Sequence, residues 1–147
     1  MIDALDLRDL IFVAQDWGGA IGTLALADRP ERMSGLVLLN TAVTPPKAGF
    51  NPTLFHRLAR LPIASDLLFK GMGYPQLNLN LGQGEKDSIT GPVAKAYQYP
   101  LRSWRDRGAV LAMARAVPNS LEHESVPLLE RSQDFVGGFT SPAALVW

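Results

Sequence analysis

The sequence of 147 residues contains no cysteine and only two histidines, His56 and His123. The absence of cysteine excludes a disulfide scaffold, a thiolate metal site and a cysteine nucleophile. Two histidines leave little room for a zinc site or for acid–base chemistry carried by imidazole. We expect both to be surface or packing residues.

Net charge and long hydrophobic runs are also lacking. Fourteen basic residues balance 14 acidic ones, so the cationic face that nucleic-acid binding needs is not expected. The apolar runs Leu10–Ala14 and Leu36–Leu39 are far shorter than the ~20 residues of a membrane helix. Residues 1–10 have no apolar stretch typical of a signal peptide. These absences predict a cytoplasmic protein that binds neither nucleic acid nor a membrane.

The clearest pattern that is present lies between residues 10 and 40. Residues 1–10 are expected to form the tail of a helix. Leu10–Ala14 is rich in β-formers, too short for a helix and typical of a strand buried on both faces. The stretch Ala20–Asp28 predicts a helix, and Gly35–Asn40 a second buried strand. Strand, turn, helix and strand within about 30 residues form a βαβ unit, which predicts an α/β fold with a parallel sheet.

The remainder of the chain is irregular and mostly helical before it returns to the α/β pattern. We expect a core over residues 1–44, a helical cap over 45–118 and a return to the core over 119–147. The final strand is cut short at Trp147, so we expect an internal fragment of a longer protein. The predicted elements are helices Leu54–Leu61, Ile63–Lys70, Gly91–Tyr99, Asp106–Ala116 and Leu121–Phe135 (capped by Asn119 or Ser120), a loop over Gly71–Gly84, and a buried strand Ala143–Trp147.

The motif with chemical content is Ala14-Gln15-Asp16-Trp17-Gly18, at the junction of the first strand and the helix. Its form, small–x–acid–x–small, is that of a nucleophile elbow, a strained turn that lifts its central side chain above the sheet. Small residues at Ala14 and Gly18 are expected because bulk there would collide across the turn, and Gly18, Gly19 and Gly22 are expected to let the helix start close under the strand. A carboxylate needs no general base to attack an sp³ carbon, so Asp16 can form an alkyl-enzyme ester.

Trp17 complements this nucleophile. Its indole N–H is a donor without an acceptor function, suited to an anion that develops beside Asp16. Its backbone N–H is the one expected in an oxyanion hole.

Two other interpretations of this turn remain open. Asp16 is also a common type of helix N-cap, and its only role would then be to start the helix. A nucleotide-binding turn is less well supported, because the glycines lack GxGxxG spacing and the second strand ends in Asn40 rather than in an acid. A phosphate-binding Walker loop is excluded, since no GK[ST] follows.

The segment VAQDWGGAIGTLALADRPERMSGLVLLNTA resembles the nucleophile-elbow region of haloalkane dehalogenases, enzymes of the α/β-hydrolase fold. AYQYPLRSWRDRGAVLAMARAVP resembles part of the cap of that family, and SPAALVW resembles a later strand. The resemblance implies a partial parallel sheet flanked by helices, with a helical cap insertion. Epoxide hydrolases share an Asp–Trp–Gly–Gly turn, and they are the nearest alternative.

The resemblance implies a role for each matching residue. Asp16 would be the nucleophile and Trp17 one of two halide-binding donors, with a halogenated aliphatic substrate, water as co-substrate, a halide product and no cofactor or metal. Asn40 cannot serve as the triad acid, so the acid and the catalytic histidine would follow Trp147, and the second halide donor would precede Met1. The chain alone would then form an ester without hydrolysing it, and it is expected to be inactive in turnover.

Overall fold

The computed structural model describes residues 1–147, which divide into two compact units. The first, here called the core unit, contains Met1–Phe50 and Ser120–Trp147. The second, here called the helical unit, contains Asn51–Asn119. No helix has the length and apolar composition needed to cross a membrane.

The core unit is built on three strands, β1 (Leu10–Gln15), β2 (Met33–Leu39) and β3 (Ala143–Val146). They form one parallel sheet in the order β1-β2-β3, with Val13 opposite Val37 and Leu38 opposite Leu145. Helix α1 (Trp17–Ala27) connects β1 to β2, and helix α5 (Val126–Gly137) precedes β3. The predicted βαβ unit and parallel α/β sheet are therefore confirmed.

One face of the sheet carries the core of this unit. Ala14, Leu36 and Leu38 are buried there with Leu26 of α1, and Phe135 of α5 packs against the same cluster. Helices α1 and α5 also contact each other, and the Ser132 hydroxyl donates to the Ala20 carbonyl at 3.4 Å. Burial of these aliphatic side chains is the main stabilising term of the unit.

The prediction that the outer strands are buried on both faces is wrong. Ile11 and Val13 of β1 are 69% and 60% exposed, and every residue of β3 is exposed. Side chains alternate between the two faces of a strand, and in β1 the face that carries Ala14 packs into the core while the opposite face is open.

Residues 1–10 do not form the expected helix tail. Asp6 and Asp9 have φ values of 43° and 52°, in the left-handed region, which breaks a right-handed helix. The segment is a series of turns held by ion pairs, since Arg29 binds Asp3 at 2.5 Å and Arg32 binds Asp6 at 3.0 Å. The hydrogen bond from Arg29 is the largest cause that lowers the pKa of Asp3.

The helical unit consists of short segments around a second core of Ala59, Phe69, Leu111 and Ala114. Its α-helices are α2 (Leu54–Leu58), α3 (Gly91–Gln98) and α4 (Gly108–Ala116). A π-helix covers Asp66–Gly71, and 3₁₀ segments cover Gln76–Gly82, Lys86–Ser88 and Tyr99–Leu101; a further 3₁₀ segment of the core unit covers Pro30–Arg32.

Several predicted helix bounds therefore need correction. The expected helix Ile63–Lys70 is mainly a π-helix, closed by a bond from the Met72 amide to the Leu67 carbonyl at 2.8 Å. The expected loop Gly71–Gly84 contains a 3₁₀ segment, because i→i+3 bonds satisfy its backbone groups locally. Helix α5 begins at Val126 with Ser125 at its N-cap, rather than after Asn119 or Ser120, because Pro127 is best accommodated in a first turn.

Candidate active site

Asp16 is the single residue between the last residue of β1 and the first residue of α1. Gln15 pairs with Leu39 of β2, and Leu39 pairs with Val146 of β3. Because the strands are parallel, the residues after these three lie at the same carboxyl edge of the sheet. Those residues are Asp16, Asn40 and Trp147.

The backbone of Asp16 is strained. Its φ is 48° and its ψ is −131°, a conformation that costs a non-glycine residue about 1–3 kcal/mol. Its carboxylate makes no capping hydrogen bond to α1, although Asp16 stands at the N-cap position. The side chain is exposed. The strain is therefore not compensated by capping, and its result is a carboxylate presented to solvent at the sheet edge.

The carbonyl of Asp16 is held by two donors. The Gly19 amide donates to it at 3.1 Å, and the Thr41 hydroxyl donates to it at 2.6 Å. Thr41 lies just after β2, so this bond links the turn to the neighbouring strand. Thr41 was not predicted from the sequence, where its only signal is a hydroxyl residue that directly follows Asn40 at the strand end.

The glycines of the turn differ in how much room they have. A Cβ added to Gly18 would lie 4.0 Å from the Cβ of Ala14, an ordinary contact. A Cβ on Gly19 would lie 2.0 Å from the Thr41 hydroxyl oxygen, and one on Gly22 would lie 1.9 Å from the Phe12 ring. The closest approach in the turn is thus at Gly19, against β2, and not across the turn at Gly18 as we expected.

The remaining members of the predicted motif lie beside Asp16. Trp17 is half-buried at the first position of α1, and Ala14 is buried in the core at 6% exposure. The structure thus places the carboxylate of a residue with a strained backbone next to the N-terminus of helix α1. The first amides of a helix have no partner within it, and the helix dipole favours negative charge there. A reacting group that becomes anionic beside Asp16 would be stabilised at this place.

Both histidines take part in local turns. The Nδ1 atom of His56 is 2.7 Å from the Thr53 hydroxyl, and burial together with Arg60 lowers the pKa of His56. His123 precedes α5 rather than lying within a helix, because α5 begins only at Val126. Its Nδ1 accepts from the Ser125 amide at 3.2 Å.

The aromatic residues of the helical unit contribute to its core. The rings of Phe55 and Phe69 are 5.4 Å apart, and those of Phe69 and Tyr74 are 5.5 Å apart in an edge-to-face arrangement. Phe69 is fully buried. Tyr97 and Tyr99 are exposed instead, and Arg102 lies over the Tyr99 ring at 4.1 Å.

Two arginines of this unit bond to backbone carbonyls rather than lying free in solvent. Arg107 donates to the carbonyls of Leu101 and Lys70, each at 2.8 Å, and also to those of Gly71 and Arg102. Arg115 donates to the Ala59 carbonyl at 2.9 Å. Each guanidinium group thereby satisfies backbone acceptors of irregular segments.

A parallel sheet with a strained strand–turn–helix elbow at its carboxyl edge defines a protein of the α/β-hydrolase type. The family model for the alpha/beta hydrolase fold matches residues 1–111, and the chain belongs to that family. The predicted fold class is therefore confirmed.

Two individual relatives match parts of the chain. The chain is 50% identical over 38 residues to a haloalkane dehalogenase of Mesorhizobium japonicum, a match that covers 26% of this chain and 12% of the relative. It is 26% identical over 121 residues to a cis-3-alkyl-4-alkyloxetan-2-one decarboxylase of Shewanella oneidensis, covering 80% of this chain and 37% of the relative.

Solved haloalkane dehalogenases share the fold over nearly the whole chain. The enzyme DbeA of Bradyrhizobium elkani superposes with a TM-score of 0.84 and 22% identity, covering 98% of this chain and 51% of that one. DatA of Agrobacterium tumefaciens gives 0.82 and 23%, covering 98% and 50%. The chain therefore spans about half the length of these structures, and at these identities the likeness shows the fold.

Proposed function

We propose that this chain carries the nucleophile of a hydrolase that cleaves carbon–halogen bonds. The observation that supports the proposal is the conformation of Asp16, which is strained at φ 48° and exposed, and which does not cap α1. Backbone strain at an exposed residue whose side chain forms no capping bond is typical of functional positions.

In the proposed reaction, a carboxylate oxygen of Asp16 attacks the halogen-bearing carbon of an aliphatic substrate. The new C–O bond forms as the C–halogen bond breaks, and the halide leaves with the bonding electrons. The product is an alkyl ester of Asp16. Trp17, the next residue, would donate its indole N–H to the departing halide. No metal or organic cofactor is needed for this step.

Hydrolysis of the ester needs a water molecule activated by a base. Neither histidine of the chain is assigned to that role here, since His56 and His123 are bonded within local turns. The proposal places the base, and the acid that orients it, in the half of the related structures that this chain does not cover. The helical unit would act as the cap of the complete enzyme.

A bromide-release assay tests the proposal. The protein is incubated with 1-bromobutane, and the released bromide is counted per protein molecule. We expect release of up to one equivalent by the wild-type chain and none by Asp16→Asn. The matched control is Asp9→Asn, at another exposed aspartate with positive φ, which should behave as the wild type. Equal release by Asp16→Asn would rule out Asp16 as the nucleophile.

A second candidate is favoured by the relative that covers 80% of this chain, an oxetan-2-one decarboxylase. Attack of Asp16 on the sp³ ring carbon bonded to oxygen would open the four-membered lactone to an ester with a free carboxylate. Loss of CO₂ would then pass the bonding electrons into a new C=C bond and expel the Asp16 carboxylate. This sequence needs no water.

Product analysis separates the candidates. Incubation with a cis-3,4-dialkyl-oxetan-2-one should yield an alkene and CO₂ only if the second candidate is correct. The epoxide hydrolase alternative requires phenol donors such as Tyr97 or Tyr99. It predicts a diol from an aryl epoxide in the complete enzyme, and a hydroxyalkyl ester of Asp16 in this chain, because the proposed base for ester hydrolysis lies outside it. A chain that releases one equivalent of bromide, and forms neither an alkene nor a hydroxyalkyl ester, supports the first candidate.

A further inference from the structure

Thr41 and Gly19 form one packed contact beside the elbow. A Cβ on Gly19 would lie 2.0 Å from the hydroxyl oxygen of Thr41, 2.6 Å from its Cγ2 and 2.8 Å from its Cβ. The missing side chain of Gly19 is thus the space that Thr41 fills. Any other residue at position 19 would push Thr41 away from the turn.

The Thr41 hydroxyl uses this space to reach the carbonyl of Asp16, to which it donates at 2.6 Å. A hydroxyl has a single proton, so this bond commits its donor function. The Gly19 amide donates to the same oxygen at 3.1 Å. The carbonyl direction of a residue follows its ψ, so the two donors together define the ψ of −131° at Asp16.

The end of β2 is itself fixed from the other side. The Asn40 amide donates to the Val146 carbonyl at 3.1 Å, which ties the residue before Thr41 to β3. Asn40 also has a positive φ of 39°, so the chain turns sharply just before Thr41. A continuous set of bonds therefore leads from β3 through the end of β2 to the turn that carries Asp16.

We propose that Thr41 is a positioning residue for Asp16: its hydroxyl holds the strained peptide unit, and so keeps the carboxylate raised above the sheet edge. The proposal rests on the role of Asp16 as the nucleophile. Thr41 does not touch the substrate in this scheme. Removal of its hydroxyl would let the Asp16 carbonyl rotate and the turn relax, which would move the carboxylate out of line for displacement.

The test compares Thr41→Val, which removes the hydroxyl at nearly constant volume, with Thr41→Ser, which keeps it. Two quantities are measured for each: the rate at which 1-bromobutane alkylates Asp16, followed by mass spectrometry, and the hydrogen-exchange rate of the Gly19 amide. We expect Thr41→Val to slow alkylation about 10- to 100-fold and to speed Gly19 exchange. Thr41→Ser should restore both, and Thr44→Val, at an exposed threonine in the same connection, should change neither.

The possible outcomes are distinguishable. Wild-type rates of alkylation and exchange in Thr41→Val would overturn the proposal. Equal slowing in the Val and Ser variants, together with equal losses in melting temperature, would show a purely structural role and would also overturn it. If the wild type is not alkylated at all, the proposed nucleophile fails. Gly19 exchange would then still decide whether the hydroxyl holds the turn.

Discussion

The two units of the molecule differ in how their buried backbone N–H and C=O groups are hydrogen-bonded. The core unit does so with a parallel ladder and two helices of 11 and 12 residues. In the helical unit the longest α-helix has nine residues, and arginine side chains reach the carbonyls that its short segments leave open. A ladder fixes strand ends relative to one another, which suits the placement of a strained residue such as Asp16, the proposed nucleophile. In the irregular helical unit, the pairing of backbone carbonyls depends on individual side chains such as Arg107 and Arg115.

The largest difference in the free energy of unfolding is expected between a variant in the core of the helical unit and one at an exposed position of the core unit. Phe69→Ala should destabilise the helical unit by about 3–5 kcal/mol, because it leaves a cavity among Phe55, Tyr74 and Leu111. The loss should appear as faster hydrogen exchange in α4. Phe50→Ala, at a residue 46% exposed, should cost less than about 0.5 kcal/mol. Similar losses in both variants would mean that Phe69 is not the centre of this core.

The arginine contacts provide the second comparison. Arg107→Met should cost about 2–3 kcal/mol, since it leaves the carbonyls of Lys70 and Leu101 without a donor. Arg131→Met in the core unit breaks only an exposed ion pair with Asp28 and should cost about 0–1 kcal/mol. Denaturant unfolding of both variants measures the difference. A larger loss from Arg131→Met would contradict the proposed contrast between the units.

A smaller loss of stability is expected from a substitution that disturbs the packing of α1 on the sheet. Gly22→Ala should destabilise the core unit by about 1–3 kcal/mol, because its new methyl group would overlap the Phe12 ring. Gly137→Ala, at the end of α5 and facing open space, should be neutral or slightly stabilising. Thermal unfolding that ranks these two variants in the reverse order would refute the close approach of α1 to β1.

The smallest expected effect is a pH dependence. A hydrogen bond from Lys70 is the largest cause that lowers the pKa of Asp66, and Arg115 adds to it. A carboxylate whose pKa is lowered in the folded state stabilises the fold at pH values above the pKa that it has in the unfolded state. This contribution is lost as the pH falls below about 4. Asp66→Asn should flatten this acid dependence in the helical unit. Asp3→Asn should do so only in the core unit, where Arg29 lowers the pKa of Asp3. Hydrogen exchange measured at decreasing pH checks both variants. A helical unit that is as acid-sensitive in Asp66→Asn as in the wild type would contradict the role of Asp66.

The sequence predicted the regular part of the fold well, because strands and helices there follow from local composition. Leu10–Ala14 and Gly35–Asn40 were expected as strands, and both overlap β1 and β2 closely. The exposure of Ile11 and Val13 was not predictable, since it depends on which face of the sheet the helices cover. The π-helix Asp66–Gly71 differs from the predicted helix because Arg107 and Arg115 bond to it from distant positions in the sequence, which no periodic pattern records. The 3₁₀ segment at Gln76 has no periodic apolar pattern, so a loop was predicted there.

The candidate site was predictable only in part. The small–x–acid–x–small pattern located Asp16 because a strained turn restricts the residues around it. Thr41 was not found, because it is 25 positions away along the chain and its contact arises only when β1 and β2 pair. The space at Gly19 and the hydroxyl of Thr41 belong to one contact that no local pattern contains.

The most direct test of the account is to locate the covalent adduct. The protein is incubated with 1-bromobutane, quenched, cleaved into peptides and sequenced by mass spectrometry. We expect a butyl ester on Asp16 in the wild-type chain and no adduct on that peptide in Asp16→Asn. An adduct confined to other carboxylates, or one that forms equally fast in Asp16→Asn, would contradict the assignment of Asp16 as the nucleophile.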